Sequence, residues 1–399
     1  MKIGVLKETK IPIDNRVPIT PIIAKKIKEE YKDIEIKVQS SNIRAFKDEE
    51  YIKYGIPITD DLSDCDILIG IKEVSIDKLI PNKIYMFFSH TAKKQPHNRK
   101  LLQKCSELGI TLIDYEYLVD KNNQRIIAFG KWAGIVGTYN ALYTIGLKYK
   151  LFKLKRAYEY FNYAELLNNI RGLKLPPLKI ILTGGGRVAN GALELLKNIP
   201  ILEITPEQFL TEKFSEPVFC RLDPWHYLKH KEFKPFDFNH FTQNPTEYFS
   251  TFLYYAQKAD VYISCHYWDP NSPKLLTKND LKKVNIKVIS DITCDINGSI
   301  ESTIRASSIE EPIYGYNPQK ECEDDPWKEG VIAVTAIDNL PSELPRDSSE
   351  DFANIFFSKV LPNFLNNDKD EIIKNATILI NGKLTPKFEY LNNYLLGLE

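Results

Sequence analysis

The chain lacks net charge: across 399 residues, Lys and Arg number 53, and so do Asp and Glu. A neutral chain has neither the broad basic field that nucleic-acid binding usually needs nor a reason to sit on an anionic membrane. No run approaches the roughly 18 apolar residues of a membrane span. The opening, MKIGVLKETK, has too short an apolar stretch for a secretory leader and reads as a first strand, Ile3 to Leu6. None of the six cysteines (Cys65, Cys105, Cys220, Cys265, Cys294, Cys322) stands in a C-x-x-C pair. A zinc ribbon is therefore not supported, and reduced thiols in a cytoplasmic setting are expected. His226 and His230 lie four apart in HYLKH, but no H-E-x-x-H pattern surrounds them and no metal site is assigned. Low-complexity tracts and internal repeats are missing as well.

What is present reads as a globular α/β chain, long enough for roughly two or three domains. Through the first third, the strand-like runs KIGVLKE, IEIKVQ, CDILIGIKE, KIYMFFSH and GITLIDYE alternate with helix-like stretches such as PIIAKKIKEEY. That alternation predicts a parallel sheet covered by helices. A second α/β unit starts near residue 178, after Pro176 and Pro177 break the preceding segment. In it KIILT reads as a strand, RVANGALELLKN as a helix and ILEIT as the next strand, with further strands at DVYISC and KVISDI. Cys220 to Thr251 is aromatic and polar without clear period, and reads as an irregular insertion. IDNLPSELPRDSSEDFANIFFSKVLPNFL has helical apolar spacing. Two units with a cleft between them are expected.

The strongest local motif is ILTGGGRVANGALELL, where Gly184, Gly186 and Ala189 fit G-x-G-x-x-G/A between a strand and a helix. Gly184 allows the tight turn and Gly186 lets the backbone approach a pyrophosphate. Ala189 and Gly191 are small enough for the helix to lie close on the sheet. The helix N-terminus then offers N–H groups to phosphates, which predicts a bound dinucleotide. The next strand should end in an acid if a ribose 2′-hydroxyl is to be held. ILEITPEQ ends instead in Thr205, and Arg187 and Arg221 are at hand as phosphate partners. This leans towards NADP(H) over NAD(H).

Charged residues collect at the ends of the N-terminal apolar runs. Arg16 lies in IDNRVPITP, and Lys72 and Glu73 follow DILIGI. His90 follows YMFF, Glu116 follows TLIDY, and Arg125 precedes IIAFGKWAG. Open α/β sheets bind ligands outside the carboxyl ends of their strands. Two or three cations, two carboxylates and a histidine would suit a small substrate with several charges.

With these residues in place the chain resembles the lysine-forming saccharopine dehydrogenases, most closely their lysine–2-oxoglutarate reductase domain. KETKIPIDNRVPITP is common to a wider group with alanine dehydrogenase and the first part of nicotinamide nucleotide transhydrogenase. FFSHTAKKQPHNRKLL, LIDYEYLVD, IIAFGKWAGIVG, NPTEYFS, YWDPNSPKLLT, SDITCDINGSIE and AIDNLPSELP are closer to the reductase. Tyr149 to Leu175 and Pro224 to Phe238 follow the family poorly. The chain ends where the reductase domain would end, as a stand-alone enzyme would.

The resemblance implies two Rossmann-like domains with parallel sheets flanked by helices. Residues 1–135 plus 325–399 would form a discontinuous substrate domain, and 136–324 the dinucleotide-binding domain. It implies Lys72 and His90 as catalytic residues, and Arg16, Glu73, Glu116 and Arg125 as lining the substrate site. Gly184, Gly186, Arg187 and Val188 would form the pyrophosphate turn, with Thr205 and the acid Asp338 also on the cofactor side. The implied reaction condenses L-lysine with 2-oxoglutarate through an imine, which a hydride from NAD(P)H reduces to saccharopine, and the reverse. Histidine suits the proton transfers because its unperturbed pKa is about 6.5. Arg16 and Arg125 would grip substrate carboxylates, and Glu73 or Glu116 the ammonium. An alanine-dehydrogenase-like enzyme and a non-catalytic dinucleotide sensor are the rival readings. The small-molecule partners expected are lysine, 2-oxoglutarate and saccharopine.

Overall fold

Five runs of the first third form strands: four are short and buried along most of their length, as parallel strands covered on both faces are, and EIKVQ alternates buried Ile36 and Val38 with more exposed polar residues. The computed structural model, which describes residues 1–398, places them as β1 (Lys2–Val5), β2 (Glu35–Gln39), β4 (Ile67–Lys72), β5 (Ile84–Phe88) and β6 (Thr111–Asp114). A two-residue strand, β3 (Ile58–Thr59), joins them. The chain then builds a second sheet from β7 (Lys179–Thr183), β8 (Leu202–Glu203) and β9 (Val218–Leu222). After the hairpin of β10 (Leu228–His230) and β11 (Tyr248–Ser250) come β12 (Val261–Ser264) and β13 (Val288–Asp291). β14 (Tyr314–Asn317), β15 (Cys322–Asp324) and β16 (Ile332–Thr335) complete that sheet. Finally β17 (Thr377–Ile380) and β18 (Lys383–Leu384) return to the first one.

Each sheet has eight strands, in the orders β18-β17-β6-β5-β4-β1-β2-β3 and β15-β14-β16-β13-β12-β7-β9-β8. β1 to β6 pair in parallel, and only the late arrivals β17 and β18 run antiparallel. The second sheet is parallel from β8 to β16 and antiparallel at β14 and β15. These are two Rossmann-like domains, as expected. The first core centres on Ile69, Tyr85, Phe87 and Leu112, the second on Ile180, Leu182 and Val261, all essentially inaccessible to water.

The compact units are Met1–Phe129 with the chain from Pro345 onward, and Gly130–Leu344. The sequence reading drew the borders at 135/136 and 324/325. The later second border follows from pairing. β16 lies beside β13, and Glu343 is buried in the second unit against Arg156 (2.9 Å) and Asn140 (2.9 Å). The first border is the start of the helix Gly130–Lys148.

That helix packs on the helix Arg187–Leu196, backbone against backbone. A Cβ on Gly134 would stand 1.9 Å from the Val188 carbonyl oxygen, and one on Gly191 would stand 2.0 Å from that of Lys131. Gly191 therefore serves helix–helix contact, not the helix–sheet contact read from the motif. A second correction concerns the insertion. Val218–Leu222 pairs in register with β7 over its whole length, so the irregular segment begins after Leu222 and not at Cys220. Among the described residues, no helix is long and apolar enough to cross a membrane.

Candidate functional site

In the first unit, β1, β4, β5 and β6 run parallel and end at one edge of the sheet. Each is followed closely by residues that can carry protons. Glu8 comes after β1, Lys72 closes β4 with Glu73 next, His90 lies just beyond β5, and Glu116 just beyond β6. Glu8 grips the end of β4: its Oε1 accepts the Ile71 N–H at 2.7 Å and its Oε2 that of Lys72 at 3.0 Å. Burial, with Asp14 nearby, raises its carboxyl to about 8.

His90 adopts a left-handed backbone, φ +54°. Asp114, at the end of β6, supports it. Asp114 Oδ2 accepts the Ser89 N–H (3.0 Å), the Ser89 hydroxyl (2.6 Å) and the His90 N–H (3.2 Å), while Oδ1 accepts the Glu116 N–H at 2.8 Å. The imidazole stacks on Phe88, with ring centroids 6.3 Å apart. Burial lowers the His90 pKa to about 4, helped by the charges of Lys72 and Lys93 against those of Glu116 and Glu73. The ring is thus neutral near pH 7.

The remaining charges are paired. Glu116 Oε1 accepts from Lys93 Nζ and Arg125 Nη2, each at 2.8 Å. Burial opposes ionisation of Glu116, but the Lys93 hydrogen bond and the two cations outweigh it and hold its pKa below the usual range. Glu73 pairs with Lys10. Arg16 is only 2% exposed and bidentate to Asp14, Nε to Oδ1 at 2.9 Å and Nη2 to Oδ2 at 2.6 Å, with its guanidinium 4.1 Å over the Phe129 ring. Arg16 and Arg125 are therefore each engaged by an acid of their own unit. The structure brings Lys72, Glu73, His90 and Glu116 into one electrostatic neighbourhood, and sets Arg16 beside Glu8. Sequence reasoning missed Glu8, Asp14, Lys93 and Asp114. Glu8 and Asp114 carried a legible signal, since each follows or closes an apolar run.

In the second unit the glycine turn joins β7 to the helix Arg187–Leu196. Gly184 has φ +106°, and a Cβ there would meet the Cys265 carbonyl oxygen at 2.6 Å. Its N–H is tied to the Leu222 carbonyl at 2.8 Å. A Cβ on Gly185 would strike Asp223 Oδ1 at 2.5 Å, whereas one on Gly186 would meet nothing within 4 Å. Gly186 is the N-cap residue and brings no side chain to the helix's first N–H groups. This open, side-chain-free cradle fits a dinucleotide pyrophosphate. Arg187 is exposed at the first helical position and Val188 follows it. Asp338 is exposed in the turn after β16. His266, not singled out from sequence, is bound on both ring nitrogens, to Thr183 (2.8 Å) and Ser299 (2.9 Å).

Thr205 is elsewhere. β8 is the edge strand, and β9 lies between it and β7. Thr205 is exposed, and its hydroxyl caps the helix Pro206–Thr211 by accepting the Gln208 N–H at 3.2 Å. The strand beside β7 ends at Leu222, so the ribose-facing position of a Rossmann sheet falls on Asp223. Asp223 is nearly buried, and its Oδ2 accepts from Arg221 Nη2 at 2.9 Å. The lean towards NADP(H) rested on the wrong strand.

Residues 4–136 match the family described as alanine dehydrogenase/PNT, N-terminal domain. The chain is 31% identical over 437 residues to the alpha-aminoadipic semialdehyde synthase of Arabidopsis thaliana, covering 98% of this chain and 41% of that protein. It thus spans less than half the length of the synthases it matches. It is 25% identical over 407 residues to the saccharopine dehydrogenase [NAD(+), L-lysine-forming] of Emericella nidulans, covering 96% of this chain and 97% of that one. A solved L-alanine dehydrogenase shares the fold with a TM-score of 0.70 at 16% identity, covering 99% of this chain and 100% of that one. The resemblance to the saccharopine dehydrogenase and alanine dehydrogenase group is borne out.

Proposed function

We propose that the chain is a lysine-forming saccharopine dehydrogenase, which condenses L-lysine with 2-oxoglutarate by reduction of an imine and catalyses the reverse. One observation carries the reading: Lys72 and His90 leave the neighbouring strands β4 and β5 at the same edge, near enough for the Lys72 charge to depress the imidazole. The likeness to a relative named saccharopine dehydrogenase [NAD(+), L-lysine-forming] supports it.

The glycine turn at Gly184 to Gly186 would hold a reduced nicotinamide nucleotide, which would provide hydride chemistry. The side chains supply the proton transfers. Neutral His90 accepts a proton from the substrate ammonium, so that the amine can attack the keto carbon. Its low pKa would make it a weak base, but substrate carboxylates arriving beside it raise that pKa towards neutral. Lys72, as an ammonium, donates one proton to the carbonyl oxygen and the attacking nitrogen gives up the second, so that the oxygen leaves as water. Lys93 and Arg125 keep Glu116 ionised beside the histidine, where it stabilises the imidazolium as it forms. Glu8 fixes the strand end that bears Lys72.

The preferred nucleotide in this reading is NAD(H). A carboxylate at Asp223 accepts hydrogen bonds from a ribose 2′-hydroxyl and repels a 2′-phosphate. The pairing of Arg221 with Asp223 holds that carboxylate in place.

The test is nicotinamide absorbance with purified protein, lysine and 2-oxoglutarate, run with NADH and with NADPH. Oxidation that needs both substrates and is faster with NADH is expected. Asp223→Ser should lower kcat/KM for NADH roughly 10- to 100-fold, the worth of a charge-assisted hydrogen bond, and narrow the gap to NADPH. Oxidation with pyruvate and ammonia in place of lysine and 2-oxoglutarate would move the assignment to alanine-dehydrogenase-like chemistry. Nucleotide binding without turnover of any amine and keto acid would leave a sensor.

A further inference from the structure

The segment between β9 and β12 holds a cluster that the proposed reaction does not use. His230 ends β10, His240 lies in the helix Phe238–Gln243, and Glu247 immediately precedes β11. One ligand atom from each lies within 4.8 Å of the other two. His230 Nε2 stands 3.1 Å and His240 Nε2 3.8 Å from the same oxygen, Glu247 Oε2. The partner that sequence spacing offered His230 is not in the cluster: His226 Nδ1 is bound to the Asp223 backbone N–H at 3.0 Å.

We propose that His230, His240 and Glu247 bind a divalent transition-metal ion of the zinc class, with water completing a tetrahedron. Two imidazoles and one carboxylate suit zinc, whereas calcium and magnesium take more oxygen donors. The surroundings orient the donors. The Tyr248 hydroxyl donates to the Asp237 carbonyl at 3.4 Å and lies 3.1 Å from His240 Nδ1. His240 therefore donates its Nδ1–H to Tyr248, which leaves the Nε2 lone pair facing Glu247. His230 is 3% exposed, with the Tyr248 ring edge-on to it at 5.2 Å. Phe236 and Phe241 pack on the same tyrosine. Glu232 and Lys234 pair with each other at 2.7 Å, and the Asp237 carboxylate caps the helix by accepting the His240 backbone N–H at 2.8 Å.

One bond is exchanged on binding. His230 Nδ1 accepts the Glu232 N–H at 3.0 Å, which places the ring proton on Nε2. Ligation through Nε2 moves that proton to Nδ1 and releases the Glu232 N–H. The ion ties together a short strand, a two-turn helix and the start of a second strand, in a segment with few long elements to hold it.

Full-length protein titrated with Co(II) reports the site through visible absorption of tetrahedral cobalt, and calorimetry with Zn(II) reports affinity. A single equivalent is expected, displaced from cobalt by zinc. His240→Ala and Glu247→Gln should each weaken binding by about a hundredfold or more, and His97→Ala, at an exposed histidine elsewhere, should not. Both ligands are substantially solvent-exposed, 41% and 49% by side chain, so these variants keep the fold, checked by circular dichroism. The Glu232 amide resonance should shift on zinc addition in the wild type and stay still in His240→Ala. Absence of cobalt absorption and zinc heat in the wild type, or binding that survives both ligand variants, overturns the proposal.

Discussion

Asp114 Oδ2 accepts the His90 N–H at 3.2 Å while also holding both polar groups of Ser89. A carboxylate at the end of one strand thereby sets the left-handed turn that follows its neighbour. Burial raises the Asp114 pKa to about 6, although the two hydrogen bonds from Ser89 lower it.

Asp114→Asn keeps one acceptor and turns an amide N–H towards donors. Stability should fall by about 1–3 kcal/mol, the cost of buried donors left without partners. In the proposed enzyme kcat should fall with little change in KM for the nucleotide. Urea unfolding and steady-state kinetics on one preparation check both. An unchanged kcat would mean that the turn is not what orients His90.

His90 has a folded pKa of about 4 against an ordinary 6.5. The neutral ring is favoured in the fold, so this contribution to stability is complete above pH 6.5 and is lost as pH falls towards 4. His90→Gln should remove that loss. Its unfolding midpoint should decline less than that of the wild type between those two pH values. Turnover should fall about 10²- to 10⁴-fold, as for loss of a general base.

Glu8 shifts the opposite way, to about 8 from 4.5. The neutral carboxyl is favoured in the fold, so this contribution is complete below pH 4.5 and is lost as pH rises through 8. Glu8→Gln cannot ionise, and its thermal midpoint should fall less than that of the wild type between pH 5 and 9. Parallel curves in differential scanning calorimetry would refute the assignment of a raised pKa.

Gly134→Ala drives a methyl group into the Val188 carbonyl, which a Cβ would meet at 1.9 Å. Overpacking of this kind costs about 1–3 kcal/mol or more. Gly172→Ala, whose Cβ would meet nothing within 4 Å, should stay within about 0.5 kcal/mol of wild type. Chemical denaturation of the pair separates close helix packing from the general effect of losing a glycine.

The strands of the first unit were legible because a parallel strand buried on both faces is a plain apolar run. The helix Gly130–Lys148 was not, because it too is buried on nearly every side, and a helix without a wet face shows no period of 3.6. His90, Lys72 and Glu116 could be placed at strand exits from sequence alone. Their partners could not, since Lys10 meets Glu73, and Lys93 meets Glu116, only after the strands align. The Thr205 reading failed for a topological reason. Chain order places β8 directly after the nucleotide helix, but hydrogen bonding places β9 against β7. Asp223 was visible as an acid closing the run VFCRL, and only the sheet order shows which strand it closes.

The first unit's sheet is threaded from both sides of Gly130–Leu344, and this imposes an order of assembly on the ribosome. β1 to β6 emerge first, and the outer edge of β6, with Leu112 and Ile113, stays bare until β17 arrives to pair with it. The second unit is contiguous and can close its own sheet during that interval. An unpaired apolar strand edge is a template for strands of other chains. The nascent protein is therefore most exposed to misassembly at residues 111–114, and a chaperone that shields that edge would raise its yield more than one acting on the second unit.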